Sequence, residues 1–449
     1  MDPEKAGFKL NQTTYALSIV SRAAILFIVT CIAVANSPFF RFKIRPYPNT
    51  VVHPHCESIS PISQEEYQVR QATLAHTLYA LNASAYVAEP GAITQYFANF
   101  STSDWKLSER PLLLIIRPIT SLSTTDIQAQ VTILTPKFES TRARGLPVPR
   151  PSSFKVKYVE WAEEANPYAV ALSALSITGT IYVDDSIRTF IVDGLKNAST
   201  GPHSVQSAPL EIRRLRERKS KAEIEILKCA NEATLLAIRE VHNSLHVGIR
   251  ESQARDMMAA SLSAAGLKSG GCLTLFGENA ALPHGSGTDR SLSENEFALF
   301  DCTASLHGYF SDVTRTVALP SSNILDEHLE VWYHVHTAQK VAMRAAKAGV
   351  VTHEVDDAAR TFLSAVGYGR FFTHRLGHGI GLEVHEQPYL HGGSNDVIVT
   401  GHTFSNEPGV YIEHKLGVRL EDCFFIDADG NAKYLTEGVG GQSTTPWLP

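Results

Sequence analysis

The chain has 449 residues, enough for about two or three domains at roughly 100 to 200 residues each, and 44% of them are hydrophobic, so a sizeable buried core is expected. Forty Lys and Arg stand against 46 Asp and Glu, a formal charge of -6 with no long basic run, which argues against nucleic-acid binding by phosphate neutralisation. Charged residues at 19%, with 29 Gly and 22 Pro spread along the chain, argue against disorder or collagen-like repeats.

Near the N-terminus, Ala23 to Ala35 (AAILFIVTCIAVA) is an uncharged apolar run preceded by Lys5, Lys9 and Arg22 and closed by Ala33-Val34-Ala35. Its length suits the apolar stretch of a cleaved signal peptide. Extended back to Ala16 it reaches about 20 residues, the span of a bilayer, with Arg22 reaching towards the headgroups. Both readings direct the chain into the secretory pathway, either secreted or membrane-anchored with a lumenal or extracellular body, and residues 1–50 then form the signal or anchor plus a linker. Sequons at Asn82, Asn99 and Asn197 fit a glycoprotein of that kind. The six cysteines, Cys31, Cys56, Cys229, Cys272, Cys302 and Cys423, include no CxxC pair, which excludes a zinc knuckle and leaves one or two disulfides open.

From Gln64 to Leu81 apolar residues fall at helical spacing, and short apolar runs follow at Ala85 to Val87, Leu112 to Ile116, Val131 to Leu134 and Thr180 to Val183. A helix followed by strands predicts a mixed α/β domain over about 55–205. The polar, proline-containing stretch Thr200 to Pro209 reads as a linker. A long amphipathic pattern from Leu210, interrupted by charges at Arg213 to Lys221, opens a second domain over about 210–445.

That second domain reads as one plan used twice. Helices over Lys221 to Ser244 and Glu251 to Ala265 precede strands over Leu273 to Phe276, Phe297 to Thr303 and Tyr309 to Ala318. Helices over Asp326 to Ala348 and His353 to Val366 then precede strands near Glu383 and over Thr403 to Glu407, Gly409 to Glu413 and Val418 to Asp427. The halves share a periodicity without clear sequence identity.

In FDCTASLHGYFSDVTRT, Asp301 and Asp312 are 11 residues apart around a centre at Leu306-His307, next to Gly308. A hairpin closing there opposes the two carboxylates, with Cβ atoms about 4.5 to 5.5 Å apart, too close for two solvent-poor carboxylates unless a cation lies between them. In HRLGHGIGLEVHEQP, His374, His378 and His385 fall within twelve residues, and Gly377 and Gly379 let backbone approach the middle one without Cβ clashes. Glu407 and Glu421 form another pair across a strand pair turning near His414 to Gly417. Arg419 lies two residues from Glu421, on the same strand face, where a plain salt bridge between the two is the simple alternative.

Asp301, Asp312, His378, Glu407 and Glu421 together offer four carboxylates and one imidazole. Hard oxygen donors with a single His favour Mn²⁺, Co²⁺ or Zn²⁺ over copper or an iron–sulfur cluster. Four carboxylates carry enough charge for two divalent ions, which at about 3.5 to 4 Å apart can hold a bridging hydroxide and polarise a carbonyl.

This ordered set, ASLHGYFSDVTRT, LGHGIGLEVHEQP, NEPGVY and VRLED, resembles the pita-bread metallopeptidases of the Xaa-Pro aminopeptidase and Xaa-Pro dipeptidase (prolidase) group, over about residues 210 to 440. The resemblance implies an α/β (α+β) fold: a creatinase-like N-terminal domain, then a pita-bread catalytic domain with pseudo-twofold helix-helix-strand halves. It implies two divalent ions, most fittingly Mn²⁺, with Asp301 chelating one, Asp312 and Glu421 bridging both, and His378 and Glu407 binding the second. It further implies that His284 in LPHGSG lines the substrate site, that His385 stabilises the tetrahedral intermediate, and that His374 and Arg419 support the ligands or the substrate pocket. The expected substrate is a peptide with proline in second position, hydrolysed between the N-terminal residue and that proline, and members of the family commonly form homodimers. In place of the family's usual Asp-x-Gly the chain has Asp301-Cys302-Thr303, which predicts a stiffer backbone and a thiol near the metals. A catalytically inactive binding protein of this fold and a metal-dependent hydrolase of a small non-peptide amide remain the alternatives.

Overall fold

Ser63 accepts a hydrogen bond from the Glu66 amide and so caps α1 (Gln64–Ala80), the helix that the spacing from Gln64 predicts. A computed structural model describes residues 55–120, 126–149, 155–199 and 204–449. After α1 come β1 (Ala83–Ala88), α2 (Ala92–Ala98), β2 (Leu113–Thr120), β3 (Ile127–Pro136), the short α3 (Ser140–Arg144), β4 (Lys157–Trp161), α4 (Pro167–Ala174), β5 (Thr180–Val183), α5 (Thr189–Ala198) and β6 (Val205–Ser207). The strands form one six-stranded sheet in the order β4-β3-β2-β1-β5-β6, antiparallel for β1–β2–β3 and parallel elsewhere.

Two expectations need correction here. The stretch Thr200 to Pro209 is not linker throughout, because Val205–Ser207 pairs with β5 as the edge strand. The helices α4 and α5 break the run of strands. In α4 the sequence PYAVALSA is apolar almost all round and shows no 3.6-residue stripe, although Asn166 and Pro167 mark its start and Asn166 Oδ1 accepts from two backbone amides.

The charged interruption after Leu210 separates α6 (Leu210–Glu217) from α7 (Lys221–Ser244). Ser220, in extended conformation, caps α7 through a reciprocal pair with Glu223: Glu223 N donates to Ser220 Oγ and Ser220 N to Glu223 Oε2. Then follow α8 (Glu251–Ala264), β7 (Lys268–Phe276), β8 (Ala298–Leu306) and β9 (Tyr309–Val317), a three-stranded antiparallel sheet. The second half repeats the plan: α9 (Asp326–Ala345), α10 (Thr352–Ala365), β10 (Gly377–Gly379), β11 (Glu386–Leu390), β12 (Thr403–Asn406), β13 (Gly409–Ile412), β14 (Leu416–Arg419), β15 (Asp422–Ile426) and β16 (Ala432–Tyr434). Its strands form a five-stranded sheet, β11-β10-β12-β15-β16, and the hairpin β13-β14. The strand expected near Glu383 is replaced by the β10–β11 pair, with a turn closed by Gly381 N donating to Glu383 O.

One apolar cluster runs from α1 and the six-stranded sheet through α7 and α8 onto β8 and β9, and a second fills the space under α9 and α10. Trp332 of α9 is fully buried in the second cluster and donates its indole N–H to Thr316 O, so this large ring leaves no polar atom unpaired. Disulfides join Cys56 to Cys229, tying the segment before α1 to α7, and Cys272 to Cys302 across β7 and β8. Cys302 is therefore not the free thiol expected beside the metals. The free cysteine among the described residues, Cys423, is buried and donates its S–H to Asp312 O.

The apolar run Ala23 to Ala35 lies outside the described residues. Among the described residues no helix is long and apolar enough to cross a membrane.

Candidate metal centre

The β8–β9 hairpin turns at His307 and Gly308, both at positive φ, with Leu306 facing Tyr309. A two-residue turn of this kind fixes the register. It is centred between His307 and Gly308, one residue further along than expected. Asp301 consequently faces Thr314 and Asp312 faces Thr303, so the two carboxylates are diagonal neighbours on one face and not directly opposed. The other pair falls as expected. Asn406 pairs with Asp422 in β12–β15 and Gly409 with Arg419 in β13–β14, and both registers place Glu407 opposite Glu421, in the gap where one ladder ends and the other begins.

His378 sits in the middle of β10, where Gly377 and Gly379 pack against backbone. A Cβ on Gly377 would lie 2.1 Å from Ser405 O, and one on Gly379 2.5 Å from Glu386 O. His378 Nδ1 lies 3.0 Å from Gly379 O, an atom with no proton to give, so Nδ1 carries the hydrogen and Nε2 presents a lone pair. That lone pair lies 3.2 Å from Glu407 Oε1 and 3.7 Å from Asp312 Oδ2, an arrangement that is repulsive unless a proton or a cation lies between.

Three sets of donor atoms converge within 4.8 Å of one another: Asp301, Asp312 and Glu421; His378, Glu407 and Glu421; and Asp312, His378 and His385. Asp312 Oδ1 and Glu421 Oε1 are buried with no hydrogen-bond partner, whereas such atoms are ordinarily satisfied. Burial, then the neighbouring Glu421, Asp301 and Glu407 charges, push the Asp312 carboxyl well above the usual range. Burial, then Glu407 and Asp301, do the same to Glu421. Burial also raises Glu407, but with a proton on His378 Nε2 the bond to His378 and the charges of His378, His374 and Arg419 outweigh it and hold this carboxyl at about 2; in the metal-loaded site a cation takes the place of that proton. Clustered carboxylates with orphaned oxygens and one imidazole lone pair are a donor set that divalent cations fit, and the number of carboxylates suits two.

Around these donors the chain is braced. Arg315 donates to Glu421 O and to Asp422 Oδ1, and Thr314 Oγ1 donates to Glu421 Oε2 at 2.6 Å. Asp356 accepts from the Leu376 amide, and Arg360, paired with Asp356, donates to Phe372 O and His374 O, fixing the turn that leads into β10. Arg419 is not the partner of Glu421. Its Nη2 lies 2.6 Å from Asp301 Oδ2 and its Nη1 2.9 Å from Tyr411 Oη. Tyr411 Oη in turn lies 2.8 Å from His374 Nε2.

A cavity of about 670 Å³ opens above Glu407, lined by Pro283, His284, His374, Arg375, His385, His391 and Arg419 as well. It brings together every catalytic residue expected from the sequence. Burial, then the charges of His378 and Arg375, hold His385 down at about 4, and its ring meets His378 edge-on at 4.3 Å. Tyr411, Arg375 and His391 were not singled out in the sequence. Arg375 lay within the His374–His385 motif, and a charged residue inside a glycine-punctuated stretch was the signal for it.

The model of metallopeptidase family M24 matches residues 225–428. An uncharacterised peptidase of Schizosaccharomyces pombe is 38% identical over 372 residues, 82% of this chain and 80% of that protein. The Xaa-Pro dipeptidase of Pyrococcus furiosus is 33% identical over 265 residues, 59% of this chain and 75% of that protein. Among solved structures, dipeptidase PepE from Mycobacterium ulcerans superposes with a TM-score of 0.74 at 27% identity, covering 84% of this chain and 97% of that one.

These likenesses correct the secretory, membrane-anchored placement expected from the N-terminus. The related dipeptidase structure is matched over nearly its whole length by the body of this chain, and no helix among the described residues could cross a membrane.

Proposed function

Because the chain belongs to metallopeptidase family M24, we propose that it is a two-ion exopeptidase that releases the N-terminal residue of peptides with proline in second position. The observation that carries this reading is the convergence of Asp301, Asp312, His378, Glu407 and Glu421, with two orphaned carboxylate oxygens, beside the 670 Å³ cavity. In this reading residues 210–445 form the catalytic domain and 55–205 the creatinase-like domain before it.

Asp301 would hold one ion, Asp312 and Glu421 both, and His378 and Glu407 the second. When bound there, divalent ions, most fittingly Mn²⁺ with Co²⁺ or Zn²⁺ as the other ions the donors suit, supply Lewis-acid polarisation of the scissile carbonyl and activation of water near neutral pH. Glu407, ionised at neutral pH, takes the proton of the attacking water and passes it to the departing proline nitrogen. His385, uncharged at neutral pH, donates an N–H to the developing oxyanion. His284, His374 and Arg419 shape the wall around the substrate. Proline suits such a wall because its tertiary amide brings no N–H that needs an acceptor and its ring fixes the chain direction.

The test is metal content measured together with hydrolysis of Xaa-Pro and Xaa-Ala peptides by the full chain. Two ions per chain and strong preference for Xaa-Pro are expected. Equal cleavage of Xaa-Ala overturns the proline assignment, and full activity with one ion or none overturns the two-ion assignment.

A further inference from the structure

Of the three imidazoles in the His374–His385 motif, two are fixed by their own hydrogen bonds. His374 sits between Arg375 O at 2.7 Å and Tyr411 Oη at 2.8 Å, and His378 Nδ1 donates to Gly379 O. His385 is exposed, and its ring makes no hydrogen bond or ion pair among the described residues; its contact is the His378 ring, with centres 4.3 Å apart. A ring held this way is placed by its backbone, and the backbone is anchored at the next residue. The carboxylate of Glu386, whose side chain is 2% exposed, lies with Oε1 2.6 Å from Lys219 Nζ and Oε2 3.5 Å from Arg216 Nη2. Glu383 N also donates to Oε2, and Arg216 pairs with Glu383 as well. Burial alone raises the Glu386 carboxyl, but the charges of Lys219 and Arg216 outweigh it and hold it below the ordinary range.

Lys219 is itself immobilised. Its side chain is 1% exposed, and its three ammonium protons meet Glu386 Oε1, Arg216 O and Glu217 O, the two carbonyls that end α6. Its backbone N–H donates to Gly401 O at 2.7 Å, in the loop before β12. Gly381 packs directly on the pair: a Cβ there would lie 2.7 Å from both Glu386 Oε1 and Lys219 Cε. Gly381 O in turn accepts from Phe310 N of β9. The α6–α7 turn and the segment carrying His385 are thus joined through one buried pair with every polar atom engaged.

We propose that the Lys219–Glu386 pair is the positioning element of the active site for His385, fixing the backbone from which that imidazole reaches the developing oxyanion. This rests on the proposed function, which gives His385 that role. A buried ion pair contributes little net stability relative to apolar residues of similar volume, so what this one supplies is direction.

The metal-loaded full chain is assayed on Ala-Pro. In Glu386→Gln, kcat should fall roughly 10- to 100-fold, because a misplacement of about 1 Å can cost that much. KM and metal content should stay close to those of the unaltered protein, since an oxyanion contact acts in the transition state. In an H385A background the same substitution should cost less than about twofold, there being no imidazole left to misplace. Lys219→Met combined with Glu386→Leu removes both buried charges, so it should fold and show the kcat loss of E386Q. An equal loss in both backgrounds, or full kcat in the apolar pair, overturns the inference. A second measurement needs no turnover. In the Zn²⁺-loaded full chain labelled with ¹³C-histidine, the His385 signal is identified by its absence in H385A. E386Q should shift or broaden that signal and leave the His374 signal in place; an unmoved His385 signal refutes the positioning. If H385A leaves kcat unchanged, or no Xaa-Pro peptide is cleaved, the proposed function fails separately and the ring signal alone decides.

Discussion

Arg419 Nη2 lies 2.6 Å from Asp301 Oδ2, and both arms of the guanidinium are engaged, since Nη1 meets Tyr411 Oη. One buried cation thus orients a carboxylate of the candidate metal centre and, through Tyr411, the imidazole of His374. Lysine can hold Asp301 or Tyr411 but not both. Arg419→Lys should keep the metal content near that of the unaltered protein while lowering kcat/KM about 10- to 100-fold, the usual effect of losing a partner that orients a ligand. Arg419→Met should instead lower stability by about 3 to 5 kcal/mol, because a buried ion pair loses one member. Metal analysis, kinetics and urea unfolding check the three quantities. Unchanged kinetics in the lysine variant would show that the two-armed contact is dispensable.

Asp312 combines burial with an orphaned oxygen and three carboxylate neighbours. Without metal this clustering is destabilising, and with metal it is the source of affinity. Asp312→Asn should therefore abolish activity and reduce bound metal from two ions to one or none. In chelator the variant should melt at the same temperature as the unaltered protein or above it. A variant that melts far lower in chelator would mean that Asp312 serves the fold, and two ions with full activity would end its assignment as a shared ligand.

What could be read in advance follows the range of the interactions. The Glu407–Glu421 pairing was legible because both strands are anchored on one local turn around His414, and both ladders keep that register. The Asp301–Asp312 relation was legible as a same-face pair but was off by one residue in its centre, since only the backbone shows that His307 and Gly308 both take positive φ. The partner of Arg419 was out of reach: Asp301 is 118 positions away, and local alternation pointed to Glu421 instead. Arg375 was missed for a similar reason. It stacks on Tyr389, brought alongside by the irregular β10–β11 pairing. Among the helices, α7 carried both a stripe and a capping box, whereas α4 is apolar all round and offered periodicity nothing to detect.

His385 is outside the five expected ligands yet lies in ring contact with His378 and in reach of Asp312. If it donates to the oxyanion, His385→Ala should lower kcat about 10²- to 10³-fold with two ions still bound. Metal content measured beside single-turnover kinetics separates this from a ligand role. Loss of an ion in H385A would place His385 among the ligands.

His402 is buried at the end of the loop before β12, with Nδ1 accepting from Val399 N, Phe404 edge-on to its ring, and Glu217 Oε2 at 4.0 Å. Burial, then the positive charges of Lys219, Arg218 and Arg214, push it down to about 3, against an ordinary value of 6.5. The folded chain thus leaves His402 uncharged where the unfolded chain protonates it. Because the unfolded state binds the extra proton, stability is fully present above pH 6.5 and is lost progressively as pH falls towards 3. His336, held at about 4 by burial and then by Lys340, acts in the same direction. Burial raises the nearby Glu217 carboxyl, an effect of opposite sign, since a raised carboxylate favours the fold at the acidic end. Unfolding of the chelated protein in urea at pH 7, 6, 5 and 4 should show stability falling with pH. In His402→Gln the slope between pH 6 and 4 should shrink by close to one proton, about 1.4 kcal/mol per pH unit. Chelation keeps the metal ligands the same in both proteins, so identical slopes would mean that the acid sensitivity arises elsewhere than His402.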